Sequence, residues 1–179
     1  AEHASIALTD ADALAGMHRS LHDALTRLPN RAQFVDRLDA AMNAAQGGGT
    51  LAVLFVDLDR FKSINDSLGH AAGDRVLIEV GERISAALRP TDVVARLGGD
   101  EFTVLIEQAG SRSEVDQVAK RIAAALSVPM SIAGREIVIS ASIGIAFDDR
   151  VSTGGSDLVH AADVAMSIVE GIERAQKKK

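Results

Sequence analysis

Two short acidic runs carry the residue types that could do chemistry, Asp57-Leu58-Asp59 and Asp100-Glu101. Each follows an apolar segment of strand character. If those strands are sheet neighbours, three or four carboxylates converge at one end of the sheet. Such a cluster repels itself unless divalent cations neutralise it, and hard oxygen ligands suit Mg²⁺ or Mn²⁺. Paired ions of this kind activate an attacking hydroxyl and stabilise a leaving phosphate. Either run alone reads as an ordinary strand-end turn former; the two together point to metal-assisted phosphate chemistry. Gly98-Gly99 permits positive φ and close approach of a ligand to the backbone, although a plain hairpin turn needs no function.

The elements that must position these acids alternate between helix and strand. Leu14, Met17, Leu21 and Leu25 fall at helical spacing, so a lead helix is expected over residues 1–25, running to about Arg27. Leu28-Pro29-Asn30 is a turn, with Asn30 capping a second helix whose face is Phe34, Leu38, Ala41 and Met42, ended by Gly47-Gly48-Gly49. Leu51 to Val56 is nearly continuous in apolar residues, the mark of a strand buried on both faces. A helix is expected from Gly73 to about Leu88, with Val76, Leu77, Val80 and Ile84 inward. A hairpin follows, from Val93 through Gly98-Gly99 to Phe102–Ile106. Further elements are a helix over Ser113 to Leu126, a strand over Ile137 to Ala146 and a last helix over Asp157 to about Arg174. The hairpin inside an α/β alternation predicts an α/β (α+β) fold, a mixed central sheet with flanking helices, rather than a doubly wound one.

Bulk composition narrows the field. At 179 residues the chain suits one compact domain, here residues 26–176 after the lead helix, with Lys177-Lys178-Lys179 as a basic tail. Hydrophobic residues make up 47% and charged residues 25%, as in a globular protein. With aromatics at 3% and neither Trp nor Tyr, a core built from Leu, Ile, Val and Ala is expected. The absence of cysteine excludes a disulfide scaffold and thiolate zinc sites. A net charge of −6 argues against a nucleic-acid footprint and suggests that any polyphosphate arrives with its divalent metal. No apolar run approaches the roughly 20 residues of a membrane span, and no signal-peptide pattern opens the chain, so a cytoplasmic domain without membrane contact is expected. His18 and His22 stand four apart with Arg19 between them, which fails the metalloprotease pattern and reads as a solvated helix face.

The run Arg96-Leu97-Gly98-Gly99-Asp100-Glu101-Phe102 is similar to the signature of the GGDEF family of diguanylate cyclases. The resemblance continues through Asp23-Ala24-Leu25-Thr26-Arg27-Leu28-Pro29-Asn30-Arg31, with Arg27 where Gly is common, and through Asp57 to Asp66. It also takes in Gly69-His70-Ala71-Ala72-Gly73-Asp74 and Ser140 to Ala146. It implies a nucleotide-cyclase or polymerase-palm type of sheet and condensation of two GTP into cyclic di-GMP. By position, Asp57, the Leu58 carbonyl, Asp100 and Glu101 are the implied ligands of Mg²⁺ or Mn²⁺, with Asp100 or Glu101 accepting the 3′-hydroxyl proton. Lys62 is implied at the terminal phosphates, Phe61 near the nucleotide, and Asn65 and Asp74 at the guanine edge; Asp74 could also cap the helix expected from Gly73. Arg174 is an implied phosphate contact. Arg89 and Asp92 of Arg89-Pro90-Thr91-Asp92 stand at the spacing of an inhibitory site for the product. The implied partners are GTP, cyclic di-GMP, a second copy in a catalytic homodimer, and a linked sensory or EAL phosphodiesterase domain.

The last helix departs from the pattern: Ser167 replaces a usual Tyr, and Glu170 stands where a phosphate-binding Lys is general. The alternative to an active cyclase is therefore a weakly active or inactive domain that senses GTP or cyclic di-GMP. An anion for a cation beside a triphosphate changes local charge by two units, about a few kcal/mol per contact at an effective dielectric near 20. That corresponds to roughly a hundredfold in affinity or rate. Glu170→Lys is expected to raise GTP turnover measurably over the parent chain in a pyrophosphate-release assay; equal rates would count against the assignment.

Overall fold

The apolar run of the first acidic strand is buried because it lies inside the sheet. In the computed structural model, which describes residues 21–44, 50–148 and 159–160, β1 (Thr50–Leu58) has neighbours on both sides. The other strands of its sheet are β2 (Val93–Gly98), β3 (Glu101–Ala109) and β6 (Ala141–Phe147), in the order β2-β3-β1-β6. The helices are α1 (Arg31–Ala44), α2 (Phe61–Leu68), α3 (His70–Ala87) and α4 (Arg112–Leu126). A separate hairpin pairs β4 (Met130–Ile132) with β5 (Arg135–Ile137).

Alternation along β1 divides the core in two. Ala52, Leu54, Val56 and Leu58 pack with the inward residues of α3 and α4, among them Val76, Val80, Ile84, Val115 and Ile122. Leu51, Val53 and Phe55 face the other way, against Phe34 and Leu38 of α1. Both sets are almost wholly removed from water, so a one-residue slip of register would exchange them and place every side chain on the wrong face. The register is thus strongly specified.

The expected α+β class holds, a sheet with helices against it. All three pairings in the four-stranded sheet are antiparallel, although the sequence reading has a mixed sheet. The reason is topological: β1 and β2 run the same way, but β3 lies between them. Two helices occupy the α2–α3 stretch, where the sequence reading has one that begins at Gly73. Phe61, Ile64 and Leu68 form the inward stripe of α2, and α3 begins at His70. Gly69, at φ 83°, makes the corner between them. The strand expected over Ile137 to Ala146 is also divided: Ile137 pairs with Met130 in the small hairpin, and β6 starts at Ala141. Ala133 and Gly134, at φ 51° and 75°, turn that hairpin.

The lead helix expected through Arg27 stops earlier. Leu21 is helical, but His22 bridges to Pro29 and the residues between make a wide turn, with Leu25 inside it. Residues 1–20, including His18, and most of the helix expected over Asp157 to Arg174 lie outside the described residues. Asn30 caps α1 as expected, its Oδ1 accepting from the Gln33 amide at 3.1 Å. Among the described residues no helix is long and apolar enough to cross a membrane.

Asp23 organises the wide turn. Its Oδ1 accepts from the Thr26 amide and hydroxyl, each at 2.8 Å, and from Arg96 Nη1 at 2.9 Å. Burial alone pushes the Asp23 carboxyl up, but the Thr26 donors and the Arg96 guanidinium outweigh it and hold it below the ordinary 3.8. A folded-state value below the unfolded one means stability that is complete above about pH 4 and lost as pH falls through the folded value. Asp23→Asn is expected to lower the unfolding free energy by about 1–3 kcal/mol at pH 7, the range for hydrogen bonds to charged groups. In urea titrations the gap from the parent should narrow below pH 3.8; a gap independent of pH would contradict this account.

Candidate active site

The two acidic runs meet. In the β1–β3 ladder Asp57 stands directly opposite Glu101, and Asp100 is the residue before it in the turn. Directly opposed residues share a face, with Cβ atoms about 4.5–5.5 Å apart. Asp57 and Asp100 are half-buried and Glu101 is exposed. The turn between paired Gly98 and Glu101 consists of Gly99 and Asp100, and Gly99 takes the left-handed φ of 53° that this reversal needs. Arg96 holds the turn by donating to the Gly99 carbonyl from Nε at 3.1 Å and Nη2 at 2.7 Å.

An open cleft of about 950 Å³ lies beside these acids. Asp57, Leu58, Asp59, Phe61, Lys62 and Asp100 line one part, and residues 135–140, reaching from the β4–β5 hairpin towards β6, line another. The cleft therefore brings together most of the residues expected at metal and phosphate. Lys62 is exposed on the first turn of α2, whereas Phe61 is buried beneath it. Among the described residues no three carboxylate or imidazole side chains group closely enough to hold an ion by themselves. Magnesium keeps waters and usually takes one or two carboxylates together with substrate phosphates. Two opposed acids, a neighbouring third and a strand-end carbonyl at Leu58 fit such a shared site.

Asp59 belongs to the first acidic run but does other work. Its carboxylate accepts from the hydroxyls of Ser140 and Ser142, the latter at 2.9 Å, and its amide donates to the Ser140 carbonyl at 2.9 Å. These bonds clamp the exit of β1 to the start of β6. The next residue, Arg60, is left-handed at φ 58°, which lets α2 begin at once. Sequence reasoning missed this clamp; its signal was two serines at the i, i+2 spacing that puts both on one face of a strand.

Asn65 and Asp74 lie away from the cleft lining, at the α2–α3 corner. Asp74 is exposed and is the fifth residue of α3, so the capping role considered for it falls away; Gly69 occupies that position. Arg89 and Asp92 are elsewhere again, between α3 and β2. Arg89 Nη2 pairs with Glu114 Oε1 at 2.5 Å, and Asp92 Oδ2 accepts from the Arg89 amide at 3.1 Å. Burial pushes the Asp92 carboxyl up, against the opposing pull of the Arg89 amide and nearby guanidinium groups. Ser167, Glu170 and Arg174 lie outside the described residues.

Comparison with known proteins agrees with this geometry. A family model described as diguanylate cyclase, GGDEF domain, matches residues 20–176. The chain is 44% identical over 163 residues to the diguanylate cyclase TpbB of Pseudomonas aeruginosa strain UCBPP-PA14, covering 90% of this chain and 38% of that protein. It is 47% identical over 148 residues to the bifunctional diguanylate cyclase/cyclic di-GMP phosphodiesterase MucR of P. aeruginosa, covering 82% of this chain and 22% of MucR. It thus spans well under half the length of these relatives. A solved structure of the isolated GGDEF domain of P. aeruginosa TpbB superposes with a TM-score of 0.79 at 47% identity, over 82% of this chain and 87% of that one. The coiled coil and GGDEF domain of Caulobacter crescentus DgcB, solved with c-di-GMP, gives 0.86 at 27% identity over 94% and 90%.

The clamp yields a direct expectation. Ser140→Ala combined with Ser142→Ala should cost about 1–3 kcal/mol of stability, since the Asp59 carboxylate loses both hydroxyl donors. Hydrogen exchange at the Asp59 amide should accelerate at the same time. Unchanged exchange and an unchanged urea midpoint would mean that the clamp is incidental.

Proposed function

Since this chain belongs to the GGDEF family of diguanylate cyclase domains, we propose that it condenses two GTP into cyclic di-GMP with release of two pyrophosphates. The observation that supports this most strongly is the Asp57–Glu101 pairing, with Asp100 and Lys62 at the adjoining cleft. Asp57, Asp100, Glu101 and the Leu58 carbonyl would hold Mg²⁺ or Mn²⁺. When bound, the metal supplies charge neutralisation at the triphosphate and makes a ribose hydroxyl more acidic.

The protein's own groups then account for the rest. Asp100, or Glu101 beside it, accepts the proton of the 3′-hydroxyl as its oxygen forms a bond to the α-phosphorus of the other GTP. The bond from that phosphorus to the bridging oxygen breaks, and pyrophosphate leaves. Lys62 offsets charge on the terminal phosphates. Asn65 and Asp74 read guanine: a carboxylate accepts from N1 and N2, and the amide reaches the remaining edge, which disfavours ATP. Repeating the same step with the roles exchanged closes the ring. One domain holds one GTP, so two copies must meet with antiparallel substrates, and a two-fold pair supplies that arrangement. Arg89 and Asp92 would bind the product once the Glu114 contact is released. We place the domain in the cytoplasm, linked to sensory or EAL modules.

Glu170 and Ser167 favour a second reading, a regulatory domain that binds GTP or cyclic di-GMP without turnover. Incubation with GTP and Mg²⁺ followed by chromatography separates the two. Cyclic di-GMP should form, and Asp100→Asn should reduce its formation by about 10²–10⁴-fold, the usual contribution of a positioned proton acceptor. Recovery of unchanged bound GTP from the parent would favour the regulator instead.

A further inference from the structure

The α2–α3 corner contains one unusually close approach. Gly73 is buried in the first turns of α3, and a Cβ placed there would lie 1.9 Å from Asn65 Oδ1 and 2.9 Å from Asn65 Cγ. The same Cβ would lie 3.2 Å from Phe61 Cζ. The Asn65 amide therefore occupies the space that any larger residue at position 73 would fill. The corner is fixed on the other side as well: the Gly69 amide donates to the Asn65 carbonyl at 2.9 Å, and the Gly73 amide donates to the Gly69 carbonyl at 3.2 Å.

We propose that Gly73 is a positioning residue for base selectivity, holding the Asn65 carboxamide in its guanine-reading pose by leaving the seat beneath it open. The inference rests on the cyclase reading above, because it takes Asn65 as a reader of the base. Backbone freedom does not explain the glycine, since residue 73 lies within the regular helix His70–Ala87. A glycine at such a position weakens the helix relative to alanine. The loss is offset by what the missing methyl admits. The group that must yield to a methyl is the mobile end of a side chain, so the helix itself need not deform. Stability and recognition should consequently move in opposite directions.

The test is Gly73→Ala alone, Asn65→Ala alone, and both together, titrated with a non-hydrolysable GTP analogue and with the matching ATP analogue. Gly73→Ala should bind the GTP analogue about tenfold more weakly, the equivalent of one lost hydrogen bond. Its preference over the ATP analogue should narrow by a similar factor. Thermal unfolding should occur at the parent's temperature or higher. In the Asn65→Ala background the second substitution should add no further loss, because the two act through the same group. A fully additive loss, or a drop in unfolding temperature that accounts for the weaker binding, assigns Gly73 to packing and overturns the proposal. Full affinity in Gly73→Ala overturns it while leaving the cyclase reading intact. A parent that binds neither nucleotide sinks both.

Discussion

Two carboxylates face each other across the end of an antiparallel ladder, and much of the site depends on that opposition. Asp57 and Glu101 cannot move apart, because the β1–β3 register is set by the buried alternation of Val53, Leu54, Phe55 and Val56 against Phe102 to Leu105. Like charges directly opposite destabilise a sheet. The remainder of each strand supplies the burial that holds the two acids in place. The core fixes the geometry of the acids.

The turn that presents Asp100 is tied through a residue of β2 to a segment outside the sheet. Arg96 donates to the Gly99 carbonyl on one side and to Asp23 on the other, while its amide donates to the Pro29 carbonyl at 3.0 Å. The wide turn before α1 is thus continuous, through one guanidinium, with the signature turn. Arg27 within it is left-handed at φ 63°, which explains why Gly is common there in the sequence pattern. A side chain at that φ costs roughly 1 kcal/mol or more, offset here by the closing bonds of Asp23 with Thr26 and Leu28.

Patterns that depend on neighbours in the chain were legible in the sequence. The buried strand, the glycine hairpin, the Asn30 cap and the inward face of α3 follow from apolar runs, turn residues and periodicity. The convergence of the acids was legible only as a condition, since no local signal reveals which strands adjoin. What escaped was non-local or divided by a single residue. The helix Phe61–Leu68 escaped, and the sequence reading begins the next at Gly73 rather than His70, because the break at Gly69 is a matter of φ. Ile137 to Ala146 read as one strand because its apolar character continues through Val138 and Ile139, while Ile137 pairs backwards with Met130. The pairing of Asp59 with two serines more than 80 residues later has no counterpart in any sequence window.

The carboxylate end of the sheet and the α2–α3 corner are joined by a single short helix. The eight residues of α2 cover about 12 Å at 1.5 Å per residue. Its start is fixed by the Asp59 clamp and the left-handed Arg60, and its end by Gly69, whose amide closes on the Asn65 carbonyl. With both ends pinned, α2 acts as a spacer. Lys62, at the cleft, and Asn65, at the corner, stand three residues apart on it, about one turn, and the buried Phe61 ring lies against both regions. An isolated helix of two turns would fray in water, so α2 is only as rigid as the contacts at its two ends. The clamp and the corner thus do for the ends of α2 what the β1–β3 register does for the acids' spacing.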